Sequence, residues 1–326
     1  MKAKILIPAA LAVLAAGSAP AQERIDARRS TGATGVVEIH NVAGTVRVLA
    51  WNRNEVHVTG TLGRGSDRLE LVGEGDRVVV RVVLPRRGHD NRGSDIEVRV
   101  PGRKTVNVRT VSADINVAGV TGSVDVRAVS GDVGVSGRPR DVFAQSRSGD
   151  ASFTGESGRV HAESVSGDVT VGGTVREQVE ASAVSGDVSV TAASGEVRAT
   201  SVSGQVEVTS MRGRAEVTTV SGDVRLAGRA LHGSFQTVSG GIYVSGDLAR
   251  DGTTSFNSHS GEIELRLSSG TSAAVDVSTF SGGILNDMAG ARVTRSSRRE
   301  QHFTVGRGDA RVSIRTFSGG VKLTNR

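Results

Sequence analysis

One dipeptide recurs with a regularity that leaves few folds open. Ser-Gly pairs place Gly131, Gly149, Gly167, Gly186, Gly204, Gly222 and Gly240 at successive spacings of 18, 18, 19, 18, 18 and 18 residues. Weaker copies at Gly122, Gly158, Gly195 and Gly213 each stand nine residues before a strong one. The unit is therefore about nine residues, and two units make a repeat. Self-similarity at a short fixed period marks a stacked architecture, because one such unit cannot bury an apolar face alone.

Within a repeat the pattern has a period of two. In "SGDVTV", Val169 and Val171 alternate with polar residues, and Val160 and Ala162 do the same in "RVHAESV". That alternation reads as a short strand with one buried face. Valine, β-branched, suits a pleated surface. Stacking each strand in parallel on its copy one coil later merges the valines into a continuous core. The expected fold is all-β: a single-stranded β-solenoid or β-helix with coils of about 18 residues, and longer, irregular strands at the N-terminal end. About sixteen coils at roughly 4.8 Å each give a rod or wedge about 75 Å long. Half-units of nine residues favour a flattened section. With one Trp, one Tyr and seven Phe, the core is thin, only a small side chain deep. The "SG" and "SGD" triplets fall where the chain turns, and the reading assigns those glycines a positive φ.

The flanks depart from the strict period. Residues 1–21, with Lys2 and Lys4, an apolar run from Ile5 to Ala16 and Ala19-Pro20-Ala21, have the form of a cleaved secretory signal. Residues 22–34 are expected to be a flexible N-terminus, 35–108 an N-terminal β region or cap, and 109–326 the repetitive solenoid. Beyond Gly240 the signal recurs at Gly261, Gly282 and Gly319, spaced 21, 21 and 37, so coils after about 245 are expected to carry inserts. "RRGHDNRGS" (86–94) and "RSSRREQ" (295–301) read as surface loops. Without cysteine the chain has neither disulfides nor a lipid-anchoring thiol. No stretch after the leader is expected to span a membrane. A formal charge of +6, about +4 without Lys2 and Lys4, is mild and evenly spread. With few aromatics for base stacking, no nucleic-acid partner is expected.

The order "IHNVAGTVRVLAWNRNEVHVTGTL" (39–62), "IEVRVPGRKTVNVRTVSADINVAGV" (96–120) and then the "VSGDV" series resembles the bacterial putative-adhesin domains, exported β-solenoids of unknown function. The likeness covers roughly residues 35–285. It implies an envelope or surface location, no established enzymatic activity and no catalytic residues to carry over.

Candidate chemistry is sparse. Asp132, Asp150, Asp168, Asp187 and Asp223 share one place in successive coils, so stacking makes them a column. The column reads either as solvated turn residues or as a cation ladder. Calcium rolls use a different glycine-rich spacing, and Gln205 and Gly241 interrupt the series. The histidines His40, His57, His89, His161, His232, His259 and His302 lack metal-ligand spacing. No serine sits in a nucleophile elbow. Arg307-Gly308-Asp309 matches a receptor-recognised tripeptide but reads as a tight turn between strands. Arg86, Arg87, Arg92, Arg295, Arg298 and Arg299 could meet anionic envelope polymers. Trp51 is expected to pack in the core or close a cap rather than serve as an exposed ligand platform. No catalytic residue, metal or cofactor is assigned. The expected function is a non-enzymatic, exported envelope protein, structural or adhesin-like, binding an unknown polymer, surface or protein through its repetitive faces. The alternatives are a scaffold that self-associates end to end by strand addition and, less favoured, a polysaccharide-acting enzyme.

Overall fold

The structure, a computed structural model, describes residues 23–85 and 93–325. The expected leader, His89 and Arg86, Arg87 and Arg92 lie outside the described residues. Strands of successive coils pair in parallel, one copy on the next: Val142 with Val160, Val160 with Val179, and Val179 with Val197. Among the described residues, 25 strands form one continuous sheet. It wraps round two edges to give two broad faces. Val160 and Ala162 on one face and Val169 and Val171 on the other are buried, so the faces share a core. Burying a valine contributes about 1.5–3 kcal/mol, whereas ordering each residue costs about 1–2 kcal/mol. Four small side chains therefore cannot hold a coil by themselves. Stacking is the condition for folding at all.

The two edges are built differently. At the first, the chain turns through the "VSGD" corners. The glycines there do not take positive φ, contrary to the sequence reading. They are required by close approach. A β-carbon on Gly204 would lie 2.0 Å from the Gly186 carbonyl oxygen, and one on Gly222 would lie 2.1 Å from that of Gly204. Positive φ belongs to the second edge, where Gly137, Gly155 and Gly173 are aligned in register with φ of 114°, 143° and 104°. There the strands Ala151–Ser164 and Val169–Ala183 bend without interruption. Buried Val175, Ala193, Met211 and Leu231 fill that edge from inside.

The ends are not sequential, which modifies the expected domain layout. Strand Val36–Trp51 pairs in parallel with Thr105–Ala118 on one side and with Arg77–Val83 and Ser94–Pro101 on the other. Regular stacking thus begins at residue 36, and the expected boundary at 108 falls inside a coil. Residues 24–30, expected to be flexible, form strand Arg24–Ser30 antiparallel to Glu55–Thr61, with Ile25 buried. Pairing with a free edge gives the segment the partner that its composition does not announce. On the other face the hairpin Arg68–Glu74 and Arg77–Val83 closes the same end.

At the far end, Ala310–Thr316 lies between Thr253–Ser260 and Ala273–Thr279, in parallel with both. The 37-residue spacing to Gly319 therefore comes from a changed order of coils as well as from an insert, the antiparallel hairpin Arg292–Ser296 and Glu300–Val305. That hairpin pairs with the outer side of Ala273–Thr279. Antiparallel strands thus cover both ends on at least one face, a common protection against edge-to-edge pairing. Among the described residues, no helix is long and apolar enough to cross a membrane.

Lys104 fastens the N-terminal cap. It is fully buried, and its Nζ donates to Thr31 Oγ1 and the Asp76 carbonyl, both at 2.8 Å. Burial holds the ammonium below the ordinary lysine range despite nearby Asp76. One side chain thus ties the leading segment, the hairpin turn and the first regular coils together. Replacing Lys104 by Ala leaves two acceptors unmatched and opens a cavity. The expected loss is about 2–4 kcal/mol in urea unfolding, with Lys104→Met intermediate because it still fills the space. Gly204→Ala is expected to cost about 1–3 kcal/mol by forcing two layers apart. A small urea-midpoint shift for Gly204→Ala, matching that of an exposed substitution, would contradict the close-approach argument.

Candidate functional site

The first edge carries the most regular chemistry of the molecule. Most corners open on a buried hydroxyl, and Ala128 and Ala183 take that inward place in the other two. Ser164 Oγ donates to the Gly149 carbonyl at 2.8 Å and accepts from the Gly167 amide at 3.0 Å. Ser146, Ser201, Thr219 and Thr237 make the same donation to the glycine of the preceding layer. Each hydroxyl is buried, satisfied and joined to two layers, so the corner is pinned.

Because strand side chains alternate, filling the inward place with the hydroxyl turns the next residue outward. That next residue is valine in almost every layer. Val111, Val129, Val165, Val184, Val202, Val220 and Val238 are 37–48% exposed, and Arg147 interrupts them once. Backbone pairing continues across the corner, from Ser185 N to Val165 O and from Ser203 N to Val184 O, both 2.9 Å. The valines therefore stand about 4.8 Å apart. Towards the C-terminal end, His259, Phe317 and Phe280 occupy the same place and stack. Their centroids are 4.9 and 4.8 Å apart and the rings lie within 6° of parallel. The displaced coil puts Phe317 between the other two. Beside this part of the ridge lies a groove of about 460 Å³, lined by Val220, Val238, Gln236, Asn257, His259 and Arg315.

The aspartates stand next to the ridge. Oδ1 of Asp132 accepts the Asp150 amide at 3.0 Å, that of Asp150 the Asp168 amide at 2.8 Å, and that of Asp168 the Asp187 amide at 2.8 Å. Asp114, not singled out from the sequence, begins the series by accepting from Asp132 N. Asp187 and Asp223 continue it onto the amides of Gln205 and Gly241. Neighbouring carboxylates about 5 Å apart repel by roughly 1 kcal/mol in water. A hydrogen bond to a charged acceptor contributes about 1.5–3 kcal/mol. The amides outweigh the repulsion, so the column serves the turn. Among the described residues no group of three His, Asp or Glu side chains is placed to hold a metal.

The remaining candidates stay apart. In the Arg307-Gly308-Asp309 turn, all three amides donate to Ser272 Oγ, at 2.9, 3.1 and 3.3 Å. Arg299 lies 5.5 Å over Phe280, and Arg295 reaches Glu300 at 3.9 Å. Trp51 donates to the Glu55 carbonyl at 3.0 Å and stacks on His57, which bonds Asp26. His161 stacks on Phe143 and bonds Glu180 at 3.1 Å. His40 is held below the ordinary imidazole range by burial. His232 reaches only the Ala230 carbonyl, at 3.4 Å.

The ridge was missed in the sequence because its valine looks like one more core residue of the strand before it. The signal was present. In "SVSGD", valine follows a hydroxyl residue already at an inward place, which puts it out of phase with Val160 and Ala162.

Fold and edge together define a parallel, two-faced β-solenoid with a repetitive, solvent-facing ridge. The family model described as Toastrack DUF4097 matches residues 91–172 and 154–324, and the chain belongs to that family. Two solved structures are similar. One, from Bacteroides fragilis, is described as a "putative adhesin"; it is 10% identical with a TM-score of 0.38, covering 93% of this chain and 98% of its own. The other, from Clostridium sporogenes, is described as a "putative cell adhesion protein"; it is 6% identical with a TM-score of 0.20, covering 93% and 100%. No protein of curated function matches the chain.

His302 bonds Asp276 and lies 3.3 Å from Glu300, across the pairing that holds the terminal hairpin. The Asp276 bond, then that of Glu300, raises its pKa above the ordinary imidazole value. A raised folded pKa contributes stability that is complete below the unfolded value and is lost as pH rises through the folded one. Hydrogen exchange of residues 300–305 is therefore expected to accelerate, beyond the intrinsic rate, as pH rises above the ordinary imidazole value of 6.5. His302→Gln should abolish that extra acceleration, and an unchanged profile would count against the pairing.

Proposed function

We propose that the protein is a non-enzymatic, exported, adhesin-like module of the cell envelope, and that the valine ridge is its contact surface. The ridge carries this reading. Large apolar side chains in contiguous exposed rows are uncommon on soluble proteins and mark interaction surfaces. Here one is repeated, layer after layer, by the same corner that builds the fold. Family membership agrees with a binding role but does not supply one, since a fold does not define a function. Such a surface offers many equivalent, individually weak contacts, which suits an extended partner better than a small molecule.

The enzymatic alternative finds little support in the side chains present. The most ordered carboxylates already accept backbone amides, and acids such as Asp141 and Glu264 are occupied by arginine or lysine. End-to-end strand addition is opposed by the antiparallel strands at the ends.

The test replaces Val184, Val202 and Val220 by Thr, which keeps the shape and adds three hydroxyls. Exposed substitutions of this kind shift stability by less than about 0.5 kcal/mol each. Retention of the purified protein on isolated envelope fractions is expected to fall at least tenfold, with the circular dichroism unchanged. Equal retention of the variant and the native chain would refute the assignment.

A further inference from the structure

The two edges differ in charge as well as in construction. From residue 111 to 223 the first edge carries Asp114, Asp132, Asp150, Asp168, Asp187 and Asp223, and Arg147 is the only cation in those corners. Asp114 to Asp187 are exposed and form no ion pair among the described residues. The second edge is mixed but net basic: its turns between residues 137 and 252 set eight arginines against six carboxylates, Asp141, Glu156, Glu177, Glu196, Asp247 and Asp251. Arg138, Arg212 and Arg229 are exposed and likewise form no ion pair among the described residues, whereas Arg176 there is engaged by Glu156 at 2.9 Å. Between Arg212 and Arg229 runs a groove of about 560 Å³ with Met211, Gly228, Gly246 and one carboxylate, Asp247, in its lining. One edge is therefore an acidic ridge, and the other carries a small net positive charge, with a channel-like groove across four of its layers.

From this we infer that the partner seated on the ridge is the opposite edge of a second copy of this chain. Copies then lie side by side, layer against layer. The inference rests on the reading of the ridge as a contact surface and names its occupant.

Three observations favour this occupant. The net charges of the two edges are opposite in sign, which favours ridge-to-channel over ridge-to-ridge orientation. The pitch is shared, because both edges belong to the same coils; a fit at one layer repeats about every 4.8 Å. The size is adequate. Ten layers of a ridge about 10 Å wide bury on the order of 1,000 Å² over both partners, the lower bound of specific association. The ridge-to-ridge alternative would set aspartate column against aspartate column in the same crowded space. Ridge-to-channel contact is heterologous, so each copy retains one free ridge and one free channel, and growth stays open as a ribbon. Association at the lower size bound is expected to be reversible and salt-sensitive.

The experiment is sedimentation of the purified mature chain over a wide concentration range, at low and high salt, with two variants. Asp150→Asn, Asp168→Asn and Asp187→Asn together keep the oxygen that accepts the amide and remove the charge. Arg138→Glu, Arg212→Glu and Arg229→Glu together reverse the net charge of the second edge and leave the ridge intact. The native chain is expected to gain mass with concentration and to return to monomer at high salt. Each variant should associate at least tenfold more weakly.

Three results would overturn the inference. One is a native chain that stays monomeric throughout. Another is an arginine variant that associates like the native chain. The third is an asparagine variant that associates more tightly, the signature of ridge-to-ridge contact. If the native chain is monomeric while the triple Val→Thr variant still loses envelope retention, the contact surface stands and only the identity of its occupant fails.

Discussion

Everything in this molecule follows from how near one coil comes to the next at a single corner. A glycine carbonyl of one layer points at the glycine of the following layer, and no β-carbon fits between them. In most layers a buried serine or threonine beside it bonds that same carbonyl, and Ser146 and Ser164 also accept the glycine amide of their own layer. Spacing, register and the turn are thus settled together by a few atoms, and the valines of both faces inherit their alignment from it. This explains why the corner tolerates few substitutions while the outward strand positions vary freely, from Phe143 to Glu180 to Arg198 down one column.

Much of this was legible from the residues alone. The constant spacing from Gly131 to Gly240, with valines alternating between, determines parallel stacking because no other arrangement buries them. The reason for the glycines was misread. A periodic glycine in a turn suggests backbone freedom, but the crowding carbonyl comes from a residue 18 or 19 positions away and leaves no local trace. The order of layers at the ends was equally opaque. Strand alternation in 36–51, 77–83 and 310–325 shows that each segment has an inward face, and nothing in that pattern says which neighbour it faces. The segment 24–30, polar apart from Ile25 and Ala27, lacks even the alternation.

The functional reading was only partly visible for a related reason. A repeated sequence reports the demands of stacking first, and those demands account for the aspartates, the hydroxyls and the glycines. What stacking leaves unexplained is the exposed valine, which the fold neither needs nor hides. Its recurrence, and its replacement by stacked His259, Phe317 and Phe280 where the layers change order, set the edge apart as a surface. The charge difference between the edges gives it a direction.

The displaced final coil has a consequence for how the chain must be assembled. Residues 310–325 complete the stack from within, so the neighbouring layers cannot close until that stretch has arrived. A chain emerging residue by residue can wind its middle coils in order, yet it must hold the terminal ones ajar for a latecomer. Completion is thereby tied to that segment: a product clipped before residue 310 would have a gap between layers and not merely a shorter rod.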